Sequence, residues 1–258
     1  MLSKEEITGK LSTSIVGKKV FLFESIDSTN SCARALGDAG TAEGAVVAAE
    51  YQTDGRGRLG RAWLAEPGTS LLFSVLLRPA ITLETAGLLT LYASAAIARA
   101  VERSVGLDVE CKWPNDLLLH GKKFCGILIE NSFQQSGLVY SVIGAGINVN
   151  QQALPPEIAA RATSLSRESG NALDRDKLFR SVLSELDAMY EDVRRGKFQA
   201  AMSEWKQRCS MFGKTITVQE HDSTVSGVAS RLHQDGGLII ETEKGERTIY
   251  AGDVTVVP

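Results

Sequence analysis

The sequence contains no apolar stretch that approaches the roughly 18 residues a membrane-spanning helix needs. Its first residues, MLSKEE, also lack the apolar core of a secretory signal peptide. These absences argue against a helical membrane protein and against an exported one. We therefore expect a soluble, cytoplasmic protein with no membrane partner.

An excess of basic residues is also missing. The 258 residues include 28 lysines and arginines against 31 aspartates and glutamates, which gives a net charge of −3. A dedicated DNA-binding protein usually carries a basic face that neutralises phosphates. We therefore expect no DNA partner, although this balance leaves room for a local basic site.

Cysteine and histidine are both scarce. The four cysteines, Cys32, Cys111, Cys125 and Cys209, form no C-x-x-C pair, and no histidine stands at metal-ligand spacing. This pattern is atypical of zinc sites and of disulfide-rich secreted domains. We expect reduced thiols, with Cys125 acting as a small buried hydrophobe and not as a nucleophile.

What the sequence does contain is a core-forming composition, since 43% of its residues are hydrophobic. Short apolar runs outnumber helical patterns in its first part, which predicts an α+β fold with helices packed on a mixed β-sheet. The predicted strands are 20–24, 45–52, 70–77, 109–113, 124–130 and 138–148, and the predicted helices are 29–37 and 83–104.

The pattern changes after Asp176. Apolar residues recur there at helical spacing until Gly196, and a second short helix carries Trp205. After Gly213 the chain becomes β-rich, with strands expected at 215–219, 225–232, 238–243 and 248–257. We predict a large first domain at 1–210 and a small SH3-like β-barrel at 211–258.

A loop of three arginines and three glycines, Gly55-Arg56-Gly57-Arg58-Leu59-Gly60-Arg61, follows the second strand. The glycines leave the backbone accessible and the arginines make the loop positive, and both properties suit a phosphate-bearing ligand. The glycines also match G-x-G-x-x-G, but a dinucleotide fold is disfavoured because a strand, not a helix, follows. A solvated surface loop is the alternative.

A second segment places a carboxylate and lysines around a rigid turn. Lys112-Trp113-Pro114-Asn115-Asp116 ends a strand, and Lys123 lies seven residues later, on the expected partner strand of a hairpin. The alternative on local pattern alone is that Lys122 and Lys123 are solvated strand-edge lysines.

These segments, with Ser25-Ile26-Asp27-Ser28-Thr29-Asn30 before them and Gly144-Ala145-Gly146-Ile147-Asn148 after, resemble the ordered signature set of biotin protein ligases. The resemblance implies an enzyme that uses ATP, biotin and Mg²⁺ to form biotinyl-5′-AMP. It also implies transfer of biotin to a lysine of a biotin carboxyl carrier protein, a subunit of acetyl-CoA carboxylase.

The resemblance also implies roles for individual residues. Lys123, Arg58 and Asp116 are the expected catalytic residues, and Asp116 either organises Mg²⁺ or steers the incoming lysine. The arginine loop is expected to be disordered without ligand. The expected biotin contacts are Ser28, Thr29, Asn30, Gln52, Gly55, Arg56, Gly57, Arg58, Lys123 and Gly126. The expected ATP contacts are Arg58, Arg61, Trp63, Asn115, Lys123, Asn148 and Trp205.

Two of these assignments have ordinary structural alternatives. Ser28, Thr29 and Asn30 at a helix start are typical capping residues, and Trp205 has the spacing of a core residue.

Only 22 residues precede Phe23, too few for a helix-turn-helix domain, so a ligase without repressor function is expected. The alternatives are a lipoate ligase-type acyltransferase or a non-catalytic biotin- or nucleotide-binding regulator. Sheet-edge pairing in the family allows a homodimer.

Overall fold

Alternating and continuous apolar runs form a seven-stranded sheet in the N-terminal part of the chain. The computed structural model describes residues 1–135, 137–220 and 223–257. Spatial order in this sheet is 1-2-3-7-6-5-4, with the first two strands parallel and the remaining pairs antiparallel. The strands are β1 (Lys19–Ile26), β2 (Ala45–Gln52), β3 (Ser70–Leu77), β4 (Glu110–Lys112), β5 (Asp116–Leu119), β6 (Lys122–Gln134) and β7 (Gly137–Asn148).

Two long helices, α3 (Leu88–Val105) and α6 (Arg175–Arg194), cover one face of this sheet. Phe73 of the sheet packs against Phe179 with ring centroids 5.0 Å apart, and Tyr92 donates a 2.7 Å hydrogen bond to the Leu186 carbonyl. None of the helices in the described residues is long and apolar enough to cross a membrane. The helices are α1 (Lys4–Gly9), α2 (Thr29–Asp38), α3 (Leu88–Val105), α4 (Pro156–Ala159), α5 (Leu165–Ser169), α6 (Arg175–Arg194) and α7 (Gln199–Gln207).

The C-terminal strands form a second, antiparallel sheet. They are β8 (Thr215–Gln219), β9 (Thr224–Leu232), β10 (Leu238–Thr242), β11 (Gly245–Ile249) and β12 (Asp253–Val256), in the order β11-β10-β9-β8-β12. The β9–β10 hairpin turns at Gly236, whose φ of 92° suits glycine, and the Gly237 amide donates to the Asp235 carboxylate.

The predicted fold class is confirmed, because a mixed sheet with packed helices is followed by a small β unit. The strand predicted at 248–257 was wrong, since the end of one strand, Ile249, and the start of the next, Asp253, are separated by a bend at Tyr250 and Ala251 and by Gly252, where φ is 148°. The helix predicted from residue 83 starts at Leu88. Its expected first turn is instead a loop, in which the Thr82 amide donates to Thr85 Oγ1.

A buried ion pair joins the start of α6 to strand β2 of the first sheet. Arg175 at the start of α6 lies 2.8 Å from Glu50 of β2 and also donates to the Ser70 carbonyl at 3.1 Å. The Leu2 amide donates to the same carboxylate. Burial acts to raise the pKa of Glu50, but these hydrogen bonds outweigh it and hold the pKa below its ordinary value.

We predict that Glu50→Ala lowers the free energy of unfolding by about 3 kcal/mol at neutral pH, because it leaves the Arg175 guanidinium buried without its partner. A carboxylate with a lowered folded-state pKa stabilises above its unfolded pKa, and this contribution disappears as the pH falls through the folded-state pKa. The difference between wild type and variant, measured by urea unfolding, should therefore shrink below about pH 4.

A matched control is Glu191→Ala, which removes the exposed i,i+4 ion pair between Glu191 and Arg195. Such a pair is worth about 0.3–0.5 kcal/mol. Equal losses in the two variants would contradict a special role for the buried pair.

Candidate functional site

A large polar cleft lies between the open face of the first sheet, the start of α2 and the segment 55–63, here called the arginine loop. Its volume is about 840 Å³, and β12 of the C-terminal unit also lines it. Nearly all predicted ligand residues meet here, although they come from distant parts of the chain. They are Ser28, Thr29, Asn30, Gln52, Arg56, Gly57, Arg58, Arg61, Trp63, Asn115, Asp116, Lys123, Gly126 and Asn148.

The floor of the cleft is backbone, because three glycines replace side chains on the exposed face of β6 and β7. Gly126 pairs with Gly146 across the two strands, and Gly144 pairs with Leu128. A β-carbon on Gly146 would lie 2.4 Å from Trp63, and one on Gly144 would lie 2.0 Å from the Asn30 side chain. These side chains can therefore rest directly on the sheet.

The start of α2 forms one wall. Ser28 is the N-cap of this helix, and its hydroxyl accepts from the Ser31 amide at 3.5 Å. The amide and the hydroxyl of Thr29 lie 2.7 and 2.9 Å from Gln52 Oε1, which accepts from both. The capping alternative is therefore correct for Ser28, and its place on the cleft wall is compatible with a ligand role as well.

The arginine loop is a small hairpin in which Trp63 N donates to the Gly55 carbonyl and Gly57 N donates to the Arg61 carbonyl. This pairing places Gly55 beneath the loop, outside the cleft lining, where a β-carbon would lie 2.9 Å from the Trp63 carbonyl. Leu59 at the tip has a φ of 56°, an unfavourable conformation for a residue with a β-carbon. The predicted disorder of this loop without ligand stays a prediction.

The three arginines of the loop have different partners. Arg58 donates to Asn115 Oδ1 at 3.0 Å, Arg56 donates to Ser31 Oγ, and Arg61 forms an ion pair with Asp253 of β12. Burial lowers the pKa of Arg58, although a guanidinium remains charged at any physiological pH. The solvated-loop alternative does not describe Arg58.

Lys123 and Asp116 face each other across the β5–β6 hairpin. Lys123 Nζ lies 2.6 Å from Asp116 Oδ1 and 5.6 Å from the centre of the Trp63 ring. The Asn115 side chain secures the turn beside them by donating to the Ile127 carbonyl at 2.8 Å. The strand-edge alternative therefore fits exposed Lys122 and does not fit Lys123.

At the other side of the glycine floor, Asn148 is 5% exposed and donates through Nδ2 to the Thr163 carbonyl at 3.0 Å. Its Oδ1 is buried and accepts no hydrogen bond from a described residue. An acceptor in this position is available to a ligand donor.

Trp205 is not brought to the cleft. Its side chain has 0% exposure on the inner face of α7, and its ring packs edge-on against Phe212 with centroids 6.3 Å apart. The core alternative therefore describes its position. The amphipathic spacing of α7 was the signal that favoured it.

Sequence reasoning gave no role to three cleft-associated residues. Ser74 lies within the apolar run of β3, Glu130 ends the GILIE segment, and Asp253 is distant in sequence from the loop it contacts. A polar residue at an inward position of a buried strand was the signal for Ser74. Asp253 had no local signal, because only tertiary packing brings it to Arg61.

The two matching family models divide the chain in the same way as its two sheets. The Biotin/lipoate A/B protein ligase family matches residues 22–148, and the Biotin protein ligase C terminal domain matches residues 211–257. The first match contains all four motifs and most of the cleft.

Relatives match over nearly the whole chain. The bifunctional ligase/repressor BirA of Bacillus subtilis (strain 168) is 34% identical over 255 residues, which are 98% of this chain and 78% of the relative. The biotin–[acetyl-CoA-carboxylase] ligase of Paracoccus denitrificans is 30% identical over 235 residues, which are 88% of this chain and 96% of the relative.

A solved structure, the biotin protein ligase from Aquifex aeolicus in complex with biotin and ATP, superposes with a TM-score of 0.79 at 28% identity. The match covers 93% of this chain and 99% of that one. The chain therefore belongs to the biotin protein ligase family, as its four motifs predict.

We predict that Gly146→Ala pushes the Trp63 indole off the glycine floor, because the added β-carbon would lie 2.4 Å from the ring. Tryptophan emission should shift to longer wavelength, and stability should fall by about 1 kcal/mol. Gly9→Ala is a suitable control, since its β-carbon would meet nothing within 4 Å. An unshifted emission spectrum in Gly146→Ala would contradict the contact.

Proposed function

We propose that this chain is an ATP-dependent ligase that activates biotin as biotinyl-5′-AMP and transfers it to a lysine of a carrier protein. The observation that carries the proposal is the Lys123–Asp116 pair beside a side-chain-free sheet floor, with the arginine loop above it. The ligands named for the Aquifex aeolicus relative, biotin and ATP, support the same pair of substrates.

The polar wall at α2 is the natural end for the biotin ring, with Ser28, Thr29, Asn30 and Gln52 supplying short hydrogen-bonding groups. The apolar chain of biotin would then cross the glycine floor at Gly126, where the Trp63 ring now rests, so this ring would move aside when biotin binds. This direction brings the biotin carboxylate toward Lys123. The backbone of Arg56 and Gly57 closes the loop side of the cleft.

The other cationic groups suit the nucleotide. Arg58 and Arg61 are placed to meet phosphates, while Asn115 and the unpartnered Asn148 Oδ1 offer polar contacts to the remainder of ATP. A flexible positive loop can close on a triphosphate, which neutralises the mutual repulsion of its arginines. Trp63 supplies an apolar wall between the two substrates.

In the first half-reaction a biotin carboxylate oxygen attacks the α-phosphorus of ATP, and the bond from that phosphorus to the pyrophosphate oxygen breaks. Lys123 lies where it can exchange its contact with Asp116 for the two approaching anions. Because their repulsion is the obstacle, the ammonium contributes by positioning and by electrostatic stabilisation.

In the second half-reaction the neutral amine of the carrier lysine attacks the acyl carbon of the adenylate. The bond to the AMP oxygen breaks, AMP leaves, and the proton that the amine loses as the amide forms passes to solvent. Asp116, released from Lys123, is the carboxylate placed to steer the incoming lysine. No covalent enzyme intermediate is required. Burial raises the pKa of the Cys125 thiol well above its ordinary range, which keeps it unreactive.

Mg²⁺ is expected to arrive with ATP. Within the described parts of the chain, no group of three or more His, Cys, Asp or Glu side chains could hold a metal ion. One or two carboxylates with substrate phosphates are sufficient for Mg²⁺. Asp116 of the cleft would supply one such carboxylate. The ion would neutralise phosphate charge.

The names of the relatives support a biotin carboxyl carrier subunit of acetyl-CoA carboxylase as the partner. We propose this carrier, and a cytoplasmic reaction, because ATP is used and the cysteines are free. A homodimer stays a prediction from the family resemblance.

The test is isotope exchange between pyrophosphate and ATP, with biotin, lipoate and octanoate as parallel acids. We expect exchange with biotin alone. Exchange with lipoate would favour the lipoate ligase alternative, which shares the matching family model. Binding of biotin without exchange would favour the alternative of a non-catalytic regulator.

We predict that Lys123→Ala and Arg58→Gly impair different steps. Lys123→Ala should slow adenylate formation by about 10²-fold, because its charge acts where the two anions meet. Arg58→Gly should release the adenylate early, because the loop loses its 3.0 Å contact with Asn115.

Single-turnover formation of biotinyl-5′-AMP measures the first effect, and biotinylation of bystander lysines on a non-carrier protein measures the second. Arg34→Ala is the matched control, because this exposed arginine is not part of the cleft lining. Retention of the adenylate by Arg58→Gly at the wild-type level would contradict the role given to the loop.

A further inference from the structure

Asn30 is held in one orientation by a residue that does not itself line the cleft. Asn30 is 5% exposed, and its Nδ2 donates to Glu130 Oε2 at 2.7 Å. Glu130 lies at the far end of β6, where it pairs with Val142. Its other carboxylate oxygen contacts Arg34, one helical turn beyond Asn30 on α2, at 3.2 Å.

The Asn30 side chain bridges two strands that are not neighbours. Ser74 of β3 donates to Asn30 Oδ1 at 2.6 Å, and Glu130 of β6 accepts from its Nδ2. The intervening strand β7 passes beneath with Gly144, where a β-carbon would lie 2.0 Å from Oδ1. The bridge therefore exists only because Gly144 has no side chain.

The carboxylate determines which way the amide points. An ionised carboxylate only accepts hydrogen bonds, so Asn30 must present its NH₂ group to Glu130 and its oxygen to Ser74. One N–H remains after the bond to Glu130. Asn30 thus offers the cleft a hydrogen-bond donor, and the ligand group that meets it must be an acceptor.

We propose that Glu130 is a positioning residue that fixes the Asn30 amide as a donor for the carbonyl of a cyclic urea. The proposal rests on the proposed function, since biotin carries such a carbonyl. It also gives a physical basis for selecting biotin over a dithiolane acid, which has no comparable acceptor. Without Glu130, the Asn30 amide could turn its oxygen toward the ligand as readily as its nitrogen. That oxygen and the urea carbonyl are both hydrogen-bond acceptors, and they would repel each other.

The test compares Glu130→Ala with wild type in biotin-dependent pyrophosphate exchange, with thermal melting as a check on folding. We expect the KM for biotin to rise about tenfold, because the hydrogen bond that orients the Asn30 amide toward biotin is lost. The KM for ATP should stay within twofold. An unchanged KM for biotin would overturn the proposal, and so would equal rises for both substrates.

Two further variants separate orientation from charge. Glu130→Gln keeps an oxygen acceptor for Asn30, so its KM for biotin should stay within about threefold of wild type. Arg34→Ala removes the ion pair but leaves the carboxylate, and should have a similarly small effect. An effect of Arg34→Ala as large as that of Glu130→Ala would assign the loss to charge and overturn the proposal.

A double-mutant cycle tests whether Glu130 acts through Asn30. In an Asn30→Ala background, Glu130→Ala should change the KM for biotin by less than about twofold, since there is no amide left to orient. A full tenfold effect in that background would overturn the proposal. Absence of both biotin binding and exchange in wild type would instead refute the proposed function, and the positioning role with it.

Discussion

The cleft depends on a patch of sheet that carries no side chains. Gly126, Gly144 and Gly146 form this patch, and a β-carbon at any of them would meet Trp63, Lys123 or Asn30 at 3.0 Å or less. A central strand normally gains stability by packing side chains on both faces, so glycine here is costly. That cost leaves a backbone surface on which the Trp63 ring and the Asn30 amide lie, and on which a thin ligand chain can take the place of the ring.

The charged groups around this patch form pairs within the protein. Lys123 pairs with Asp116 from the adjacent strand, and Arg61 pairs with Asp253 from the C-terminal sheet. Unpaired, these cations would repel one another. In the proposed reaction, phosphate and carboxylate groups of the substrates replace these aspartates. Each cation therefore exchanges one anionic partner for another when the substrates bind. The Arg61 pair also makes the C-terminal unit a part of the site, which explains why β12 lines the cleft.

Much of this was predictable from local patterns. Ala45–Gln52 and Ser70–Leu77 are continuous apolar runs whose ends coincide with the observed strands, and the family predicted from four ordered motifs is confirmed by its relatives. The short strand Asp116–Leu119 was not resolved from its turn, because four residues carry little periodicity. Helices α1, α4 and α5 were missed for the same reason, since each is six residues or shorter.

The contacts between distant segments could not be predicted in this way. The bridge from Ser74 through Asn30 to Glu130 joins three segments, and each of these residues has an ordinary local explanation. Trp205 shows the reverse situation. Family resemblance predicts a ligand contact, which stays a prediction, while helical spacing on α7 indicated the buried position that the structure gives it. Local spacing is the stronger guide where a large apolar residue lies on an amphipathic helix.

The most direct test of the central claim is a crystal structure of the protein after incubation with biotin and ATP. The account predicts biotinyl-5′-AMP lying on the Gly126–Gly146 floor in place of the displaced Trp63 ring, with its urea carbonyl at the Asn30 amide. Lys123 Nζ should have moved from Asp116 to within hydrogen-bond distance of the acyl phosphate. An adenylate bound away from the glycine floor, or one bound there while Lys123 keeps its 2.6 Å contact with Asp116, would contradict the account.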